Sequence, residues 1–178
     1  MYIYVHRDER EMWSAVQAYF KEYPTRLKVA RLILELGLRV DKEGKIYCGV
    51  VEIPPIRIAR ACEVDRRVVN TTVRMILANP KLREVFVNIR PSGPFFRDIA
   101  KHFGFGVIEI TADPKTVGII AKVTALIADE GIGIRQIVAD DPELYPEPKL
   151  TVITEKEVPG KIIPKFLRVQ GVKGVSVY

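Results

Sequence analysis

A chain of 178 residues with 48% hydrophobic content and a mean hydropathy of +0.06 has the balance of a soluble globular protein of one or two small domains. No apolar run approaches the roughly 20 residues that cross a bilayer, and the N-terminal Met-Tyr-Ile-Tyr-Val-His lacks the charged-then-apolar order of a signal peptide. A cytoplasmic location with no membrane partner is therefore expected. Cys48 and Cys62, with no second pair, point to neither a disulfide framework nor a zinc site. The formal charge of +6 is uneven: residues 1–104 carry 19 Lys+Arg against 12 Asp+Glu, and residues 105–178 carry 9 against 10. A basic part can meet a polyanion, a near-neutral part a small ligand or another copy of the chain. The alternative on charge alone is a solvated face, since three Asn and three Gln beside fifty charged residues is a bias common in proteins from hot environments.

In chain order, Met12, Trp13, Val16, Tyr19 and Phe20 make one apolar stripe of a packing helix opened by Asp8-Glu9. Tyr23-Pro24-Thr25 breaks it, and Thr25 is placed to cap a second helix with Val29, Leu32, Ile33 and Leu36 as its stripe, ending near Gly37. Leu38-Arg39-Val40 and a strand over 45–51 flank Asp41-Lys42-Glu43-Gly44, which suggests a β-hairpin or, failing that, a long ordered loop.

Residues 56–76 carry a more specific pattern. Pro54-Pro55 starts a short helix over 56–62, Glu63-Val64 makes a turn, and Asp65 caps a second helix over about 66–77, which Asn79-Pro80 ends. Two helices that cross closely need a small residue in the first and apolar residues at fixed offsets in the second. Ala59 and Val64 with Val69, Val73 and Ile76 meet that need, as in a helix-turn-helix. The opposite face of the second helix then presents Arg66, Arg67, Asn70, Thr71 and Arg74. Arg reads guanine bidentately, Asn reads adenine, and Thr bonds a base edge or a phosphate. Two positions depart from the common pattern: Glu63 stands where a glycine usually takes the left-handed turn, and Thr72 where an apolar residue is usual. The same helices could instead pack only against the N-terminal ones and bind no nucleic acid.

Val85, Val87 and Ile89 alternate as a strand would, which suggests a wing. Pro91-Ser92-Gly93-Pro94 is rich in turn formers and leads into a short helix over 95–103 closed by Gly104, so a linker is placed at 91–105. His6 and His102 have no carboxylate or cysteine cluster at metal-ligand spacing, and no metal or cofactor is expected.

From residue 107 the period changes from two, through Ile108, Ile110 and Ala112, to that of a helix, through Ile119, Ile120, Val123, Leu126 and Ile127. Gly131 stops the helix and Ile132, Ile134 and Ile137 resume an extended run. An acidic, three-proline loop over 140–148 follows. Then come a strand over 149–154, a helix lined by Ile162, Ile163, Phe166 and Leu167, and a closing strand over 172–178. The order is βαββαβ, the ferredoxin-like arrangement. Pro164 denies that second helix a backbone N–H, so it should start late or loosely. No phosphate-binding glycine loop or Ser/His/Asp or Cys/His constellation is present, so an enzyme is not expected.

The strand, turn, glycine, long helix and Gly131-Ile132-Gly133-Ile134 of 107–137 resemble an ACT domain, a small-molecule-sensing module. With the 45–90 region, the whole chain resembles the archaeal predicted regulators of amino-acid metabolism. That resemblance implies an α+β protein: a mostly helical, possibly winged helix-turn-helix domain at 1–90, the linker, and an ACT domain at 106–178. In the ACT family modules pair side by side and hold an amino acid between the first strand-helix loop and the start of the second strand. Carried to this chain, that implies Asp113, Lys115, Thr116, Val117 and Gly118 in the loop and Gly133 on the second strand. Backbone N–H groups at a helix N-terminus attract a carboxylate, and a glycine permits close approach. The loop is longer than the family's Asp-x-Pro-Gly, and Gly133 replaces its asparagine, so the module either senses a ligand or only dimerises. The expected function is a dimeric, ligand-responsive transcriptional regulator. The alternative is a subunit that binds no DNA and whose N-terminal domain docks on a protein partner.

Overall fold

The computed structural model describes residues 12–178. His6 and the Asp8-Glu9 helix start therefore lie outside the described residues. The chain divides into two compact units, Met1–Gly93 and Pro94–Tyr178. Of the stretch 91–105 read as linker, residues 94–105 belong to the second unit.

Unit 1 is mostly helical. Helix α1 (Met12–Phe20) buries Trp13, Val16 and Phe20, and Tyr19 stands edge-on to Phe20 with ring centroids 5.1 Å apart. Helix α2 (Pro24–Glu35) buries Val29, Ala30, Ile33 and Leu34. Thr25 does not cap it: the helix starts one residue earlier, at Pro24, whose fixed φ and missing N–H suit the first turn. After α2, Gly37 sits at φ +61°, and a Cβ there would lie 2.8 Å from the Arg90 carbonyl oxygen and the Pro91 backbone. Glycine is required because two stretches of chain meet at that point.

Strands β1 (Arg39–Val40), β2 (Ile46–Cys48) and β3 (Val51–Ile53) form an antiparallel sheet in that order. Asp41 holds the first turn by accepting from the Glu43 and Lys45 N–H groups at 2.9 Å each. The single strand expected over 45–51 breaks in two, because Gly49 adopts φ +59° and turns the chain.

Helices α3 (Pro55–Cys62) and α4 (Arg66–Ala78) follow. Asp65 caps α4, accepting from the Arg67 N–H at 2.7 Å. Glu63 takes the left-handed conformation itself, at φ 55° and ψ 44°, so the turn is not lengthened. The Val64 N–H reaches back to the Ala59 carbonyl at 2.9 Å. Thr72 is fully buried, and its hydroxyl donates to the Val68 carbonyl at 2.8 Å, which satisfies the polar group in the core. The strand and wing expected at 85–89 are absent: Pro80–Asn88 is helix α5, burying Leu82 and Phe86 at i, i+4. Asn79 ends α4 and also caps α5, accepting from the Leu82 N–H at 3.2 Å, and Pro80 occupies the first turn. Start signals and a helical pair of large apolar residues outweigh a three-residue alternation.

Unit 2 has the βαββαβ order. Strands β4 (Gly106–Ala112), β5 (Ile134–Ala139), β6 (Lys149–Thr154) and β7 (Val172–Val177) form one antiparallel sheet in the order β5-β6-β4-β7. This is the ferredoxin-like topology, with the first and third strands central. Helix α6 (Ile119–Asp129) and the short α7 (Ile163–Leu167) cover one face: Val123, Ile127, Ile162 and Phe166 pack on Ile108, Ile110 and Val152. Pro164 has the expected effect, since α7 is only five residues long and follows a 3-10 turn, Gly160–Ile162. On the other face Ala100, with Phe96 and Phe105, packs on Val107 and Ile153. The helix expected over 95–103 shrinks to a turn and one 3-10 turn, Ala100–Phe103. The Phe96 N–H is given to the Gln136 side chain at 3.0 Å, and the backbone bonds that follow, Ile99 to Phe96 and His102 to Ile99, close three-residue rather than four-residue rings.

Candidate functional site

The five residues expected to face DNA are brought together on α4. Its buried side is Val69, Thr72, Val73 and Ile76, packed toward α2, α3 and α5. The helical period therefore turns Arg67, Asn70, Thr71 and Arg74 outward, with Arg66 beside them in the first turn. Arg66, Arg67, Asn70 and Arg74 are exposed and Thr71 is half-buried. One bond links two of them, from Arg74 Nη2 to Thr71 Oγ1 at 3.2 Å. On the other side of the helix, the Tyr19 hydroxyl donates to the Met75 carbonyl at 3.3 Å, which holds α4 against α1. Arg57 and Arg60 on α3 are also exposed, opposite the buried Ile58, Ala59 and Cys62. Sequence reasoning passed over them, although their three-residue spacing opposite the apolar positions was visible. Residues 1–93 hold 17 Lys+Arg against 11 Asp+Glu, while residues 94–178 hold 11 of each, so the charge asymmetry falls on the unit boundary.

In unit 2 the loop 113–118 joins β4 to α6 and is fastened inside its own unit. Asp113 Oδ1 accepts from the Lys115 N–H at 3.0 Å, and the Asp113 N–H donates to the Gly171 carbonyl at 2.8 Å. The Thr116 side chain fills the space a Cβ on Gly171 would take. Gly118, at φ +88°, caps α6 without a side-chain bond, and Val117 is 93% exposed. A pocket of about 180 Å³ opens here, with a floor of Ile110, Ala112, Ile119, Ala139 and Leu150 and with Asp113, Thr116, Asp140 and Lys149 at its polar edge. It is smaller than the roughly 300 Å³ at which drug-sized sites begin, so its size suits a small metabolite. Lys115, Val117 and Gly118 do not line it, and its far wall is the β5–β6 loop, which spacing alone did not point to.

Gly133 is not part of that pocket. Ile134 pairs with Thr154, which in turn pairs with Gly106, while Ala139 pairs with Leu150, which in turn pairs with Ile110, so Gly133 precedes the opposite end of β5. A Cβ on Gly133 would run into the Glu155 carboxylate, and the Glu155 N–H donates to the Gly133 carbonyl at 3.0 Å. Within one chain the close approach permitted by this glycine is taken by Glu155.

The helix-free face of the sheet holds a carboxylate network. Glu109, only 8% exposed in the central strand β4, accepts from Arg97 Nε at 2.5 Å and from the Tyr178 hydroxyl at 3.3 Å, with Lys149 Nζ 3.8 Å away. Burial pushes the Glu109 carboxyl up, but Arg97, Lys149 and Tyr178 together outweigh it and hold the carboxyl below its usual range. At the end of α6, Glu130 receives Lys161 and Lys165 at 2.8 and 2.9 Å, whose hydrogen bonds lower its carboxyl likewise. Both groups tie elements together; neither faces the pocket. Burial pushes the Cys62 thiol up, which leaves it a packed apolar residue rather than a nucleophile. Among the described residues no three His, Cys, Asp or Glu side chains gather as a metal site, and no helix is long and apolar enough to cross a membrane.

No family model and no curated protein sequence matches the chain. The ACT domain from GTP pyrophosphokinase of Chlorobium tepidum is 22% identical over 42% of this chain and 96% of that one, with a TM-score of 0.34, a likeness too slight to support an argument.

Proposed function

We propose that this protein is a ligand-responsive transcriptional regulator of amino-acid metabolism and not an enzyme. Unit 1 reads DNA through the helix-turn-helix α3–α4, and unit 2 is an ACT-like module that self-associates and senses an amino acid or related metabolite. The observation that carries the reading is the outward face of α4: Arg66, Arg67, Asn70, Thr71 and Arg74 stand together on a capped helix whose other side is wholly buried. Supporting it are the exposed Arg57 and Arg60, the charge asymmetry between the units, and the small apolar pocket beside 113–116. Asp113 and Asp140 at the edge of that pocket complement an amine, and the uncapped start of α6 complements a carboxylate. The ligand acts by changing the affinity of the paired units for DNA, and DNA changes ligand affinity by the same factor.

Fluorescence anisotropy with a mixed-sequence duplex tests the DNA half. Affinity should fall steeply with salt, by about one log-log unit per neutralised phosphate, and Arg66→Ala with Arg67→Ala should weaken it by roughly 1–3 kcal/mol per lost contact. Unchanged affinity in the double variant would sink the assignment of α4, and no binding at low salt would favour a protein partner for unit 1. The sensor half is read in the same preparation from thermal unfolding with each amino acid in turn. A ligand at 100 times its Kd adds about 2.7 kcal/mol, and no shift with any of them leaves unit 2 a dimerisation module.

A further inference from the structure

The helix-covered side of unit 2 carries a second concavity, a groove of about 410 Å³ between α6 and α7. It shares no lining residue with the pocket beside 113–116, and its volume falls within the roughly 300–1,000 Å³ of small-molecule sites. Ala125 and Leu126 of α6 and Val169 after α7 give it apolar walls. Its polar groups are Lys122, Lys165, Arg168 and the Gln170 amide, so that three cations line it and no carboxylate does.

These charges are not consumed by the fold. Unit 2 is neutral as a whole, with 11 basic and 11 acidic residues, so three cations around one groove are a local excess. Lys165 gives its ammonium to Glu130 at 2.9 Å, but Glu130 also takes Lys161 at 2.8 Å, and one carboxylate cannot neutralise two ammonium groups. Lys122 and Arg168 are exposed and meet no carboxylate among the described residues. Lys122 also closes the first turn of α6, its N–H donating to the Gly118 carbonyl at 3.1 Å. A cation is disfavoured there by the positive end of the helix dipole, so its charge does nothing for α6. Set in a concavity with apolar walls, the three cations suit a phosphoryl group: arginine bonds it bidentately through its planar fork, and two lysines add point charges around it. Duplex DNA fits poorly, because its phosphates need cations along a line, at one charge per about 1.7 Å of axis. Here the three meet at one groove.

We infer that the α6–α7 groove is a second ligand site of unit 2 and takes a small organic phosphate. Its phosphoryl group sits on Lys122, Lys165 and Arg168, and its apolar body lies on Ala125, Leu126 and Val169. The site depends neither on what the pocket beside 113–116 binds nor on DNA binding by α4. Phosphorus NMR of phenyl phosphate and of inorganic phosphate, each titrated with the full chain at fixed salt, tests it. Both should bind, the ester more tightly because its ring gains the apolar walls. Lys122→Gln with Arg168→Gln should weaken phenyl phosphate binding by about tenfold or more, while the thermal midpoint holds, since both side chains are exposed. Arg66→Ala with Arg67→Ala should leave that binding unchanged, which separates the groove from the basic face of α4. No binding to the parent, or equal affinity in the Lys122→Gln, Arg168→Gln variant, overturns the proposal. Inorganic phosphate bound as tightly as the ester overturns the assignment to an organic phosphate. If the parent ignores phenyl phosphate and the same variant loses duplex affinity, the groove belongs to the DNA surface and the proposal fails.

Discussion

The outward face of α4 and the loop 113–118 differ in what their polar groups are already bonded to. Among the described residues of unit 1, the side chains of Arg66, Arg67 and Asn70 on α4 find no bonding partner, and Arg74 meets only its neighbour Thr71. In the loop, Asp113 bonds Lys115 and Gly171, and Thr116 rests on Gly171. A helix carries its own backbone bonds and can spare a whole face for a partner. A loop must borrow bonds from elsewhere, so its residues are partly spent before any ligand arrives. Substitutions should therefore cost binding on α4 and folding in the loop.

The largest effect expected from this contrast is at Gly171. It adopts φ +89°, and a Cβ would lie 2.6 Å from Thr116 Oγ1 and 2.7 Å from Thr116 Cβ. Backbone strain and the collision together should make Gly171→Ala lose about 2–3 kcal/mol, whereas Arg66→Ala should stay within about 0.5 kcal/mol of the parent. Urea unfolding measures both. Thr116→Gly added to Gly171→Ala removes the collision and should recover part of the loss. If Gly171→Ala unfolds at the parent's midpoint, the loop is not anchored there and the contrast fails.

A smaller effect separates the pocket from the network behind it. Arg97, Lys149 and Tyr178 hold the Glu109 carboxyl below its unfolded value. A lowered carboxyl stabilises the fold above the unfolded pKa, and that contribution is lost as pH falls through the carboxylate range to the folded pKa. Glu109→Gln should therefore cost about 1–2 kcal/mol at neutral pH, toward the lower figure because Arg97 is 36% exposed. The cost should shrink in acid, where the parent's own carboxyl is protonated. Denaturant titrations at neutral pH and at about pH 3 compare the two, and an equal penalty at both would mean that shape rather than charge is at stake. Ligand-induced thermal shifts should change little, since Lys149, 3.8 Å from Glu109 and also lining the pocket, is the residue the two share.

Where the fold could be read from the sequence, the cause was local. The change of period between Ile110 and Ile119, the stop at Gly131 and the cap at Asp65 each act within a few residues, and each appears where expected. α5 was misread because two local patterns overlap there. Val85, Val87 and Ile89 alternate, but Leu82 and Phe86 are the larger pair, and Asn79 is a cap for α5 as well as a stop for α4. The placement of Gly133 was not legible because its neighbour Glu155 is 22 positions away, and a glycine left bare for a side chain looks like one left bare for a ligand. The pocket's far wall, the β5–β6 loop, reaches 113–116 only through the pairing of β4 and β5 with β6.

The smallest expected effect lies in the turn before α4. Glu63 is the only described non-glycine residue with positive φ, a conformation that costs an L-residue roughly 1–2 kcal/mol. Glycine adopts it without that strain but loses more freedom on folding, by about 0.5–1 kcal/mol. The remaining term is the Lys28–Glu63 ion pair, 3.6 Å long between side chains 54% and 86% exposed, which adds little at such a surface. Glu63→Gly should accordingly stabilise unit 1 by about 0.5 kcal/mol. The Val64–Ala59 backbone bond sets the turn whichever residue precedes Val64, so the crossing of α3 and α4 should not change. DNA affinity measured beside stability then sharpens the contrast between α4 and the loop. Equal affinity with a small stability gain means that the α4 face is positioned by its buried side. A loss of affinity would mean that the strained turn at Glu63 helps to aim it.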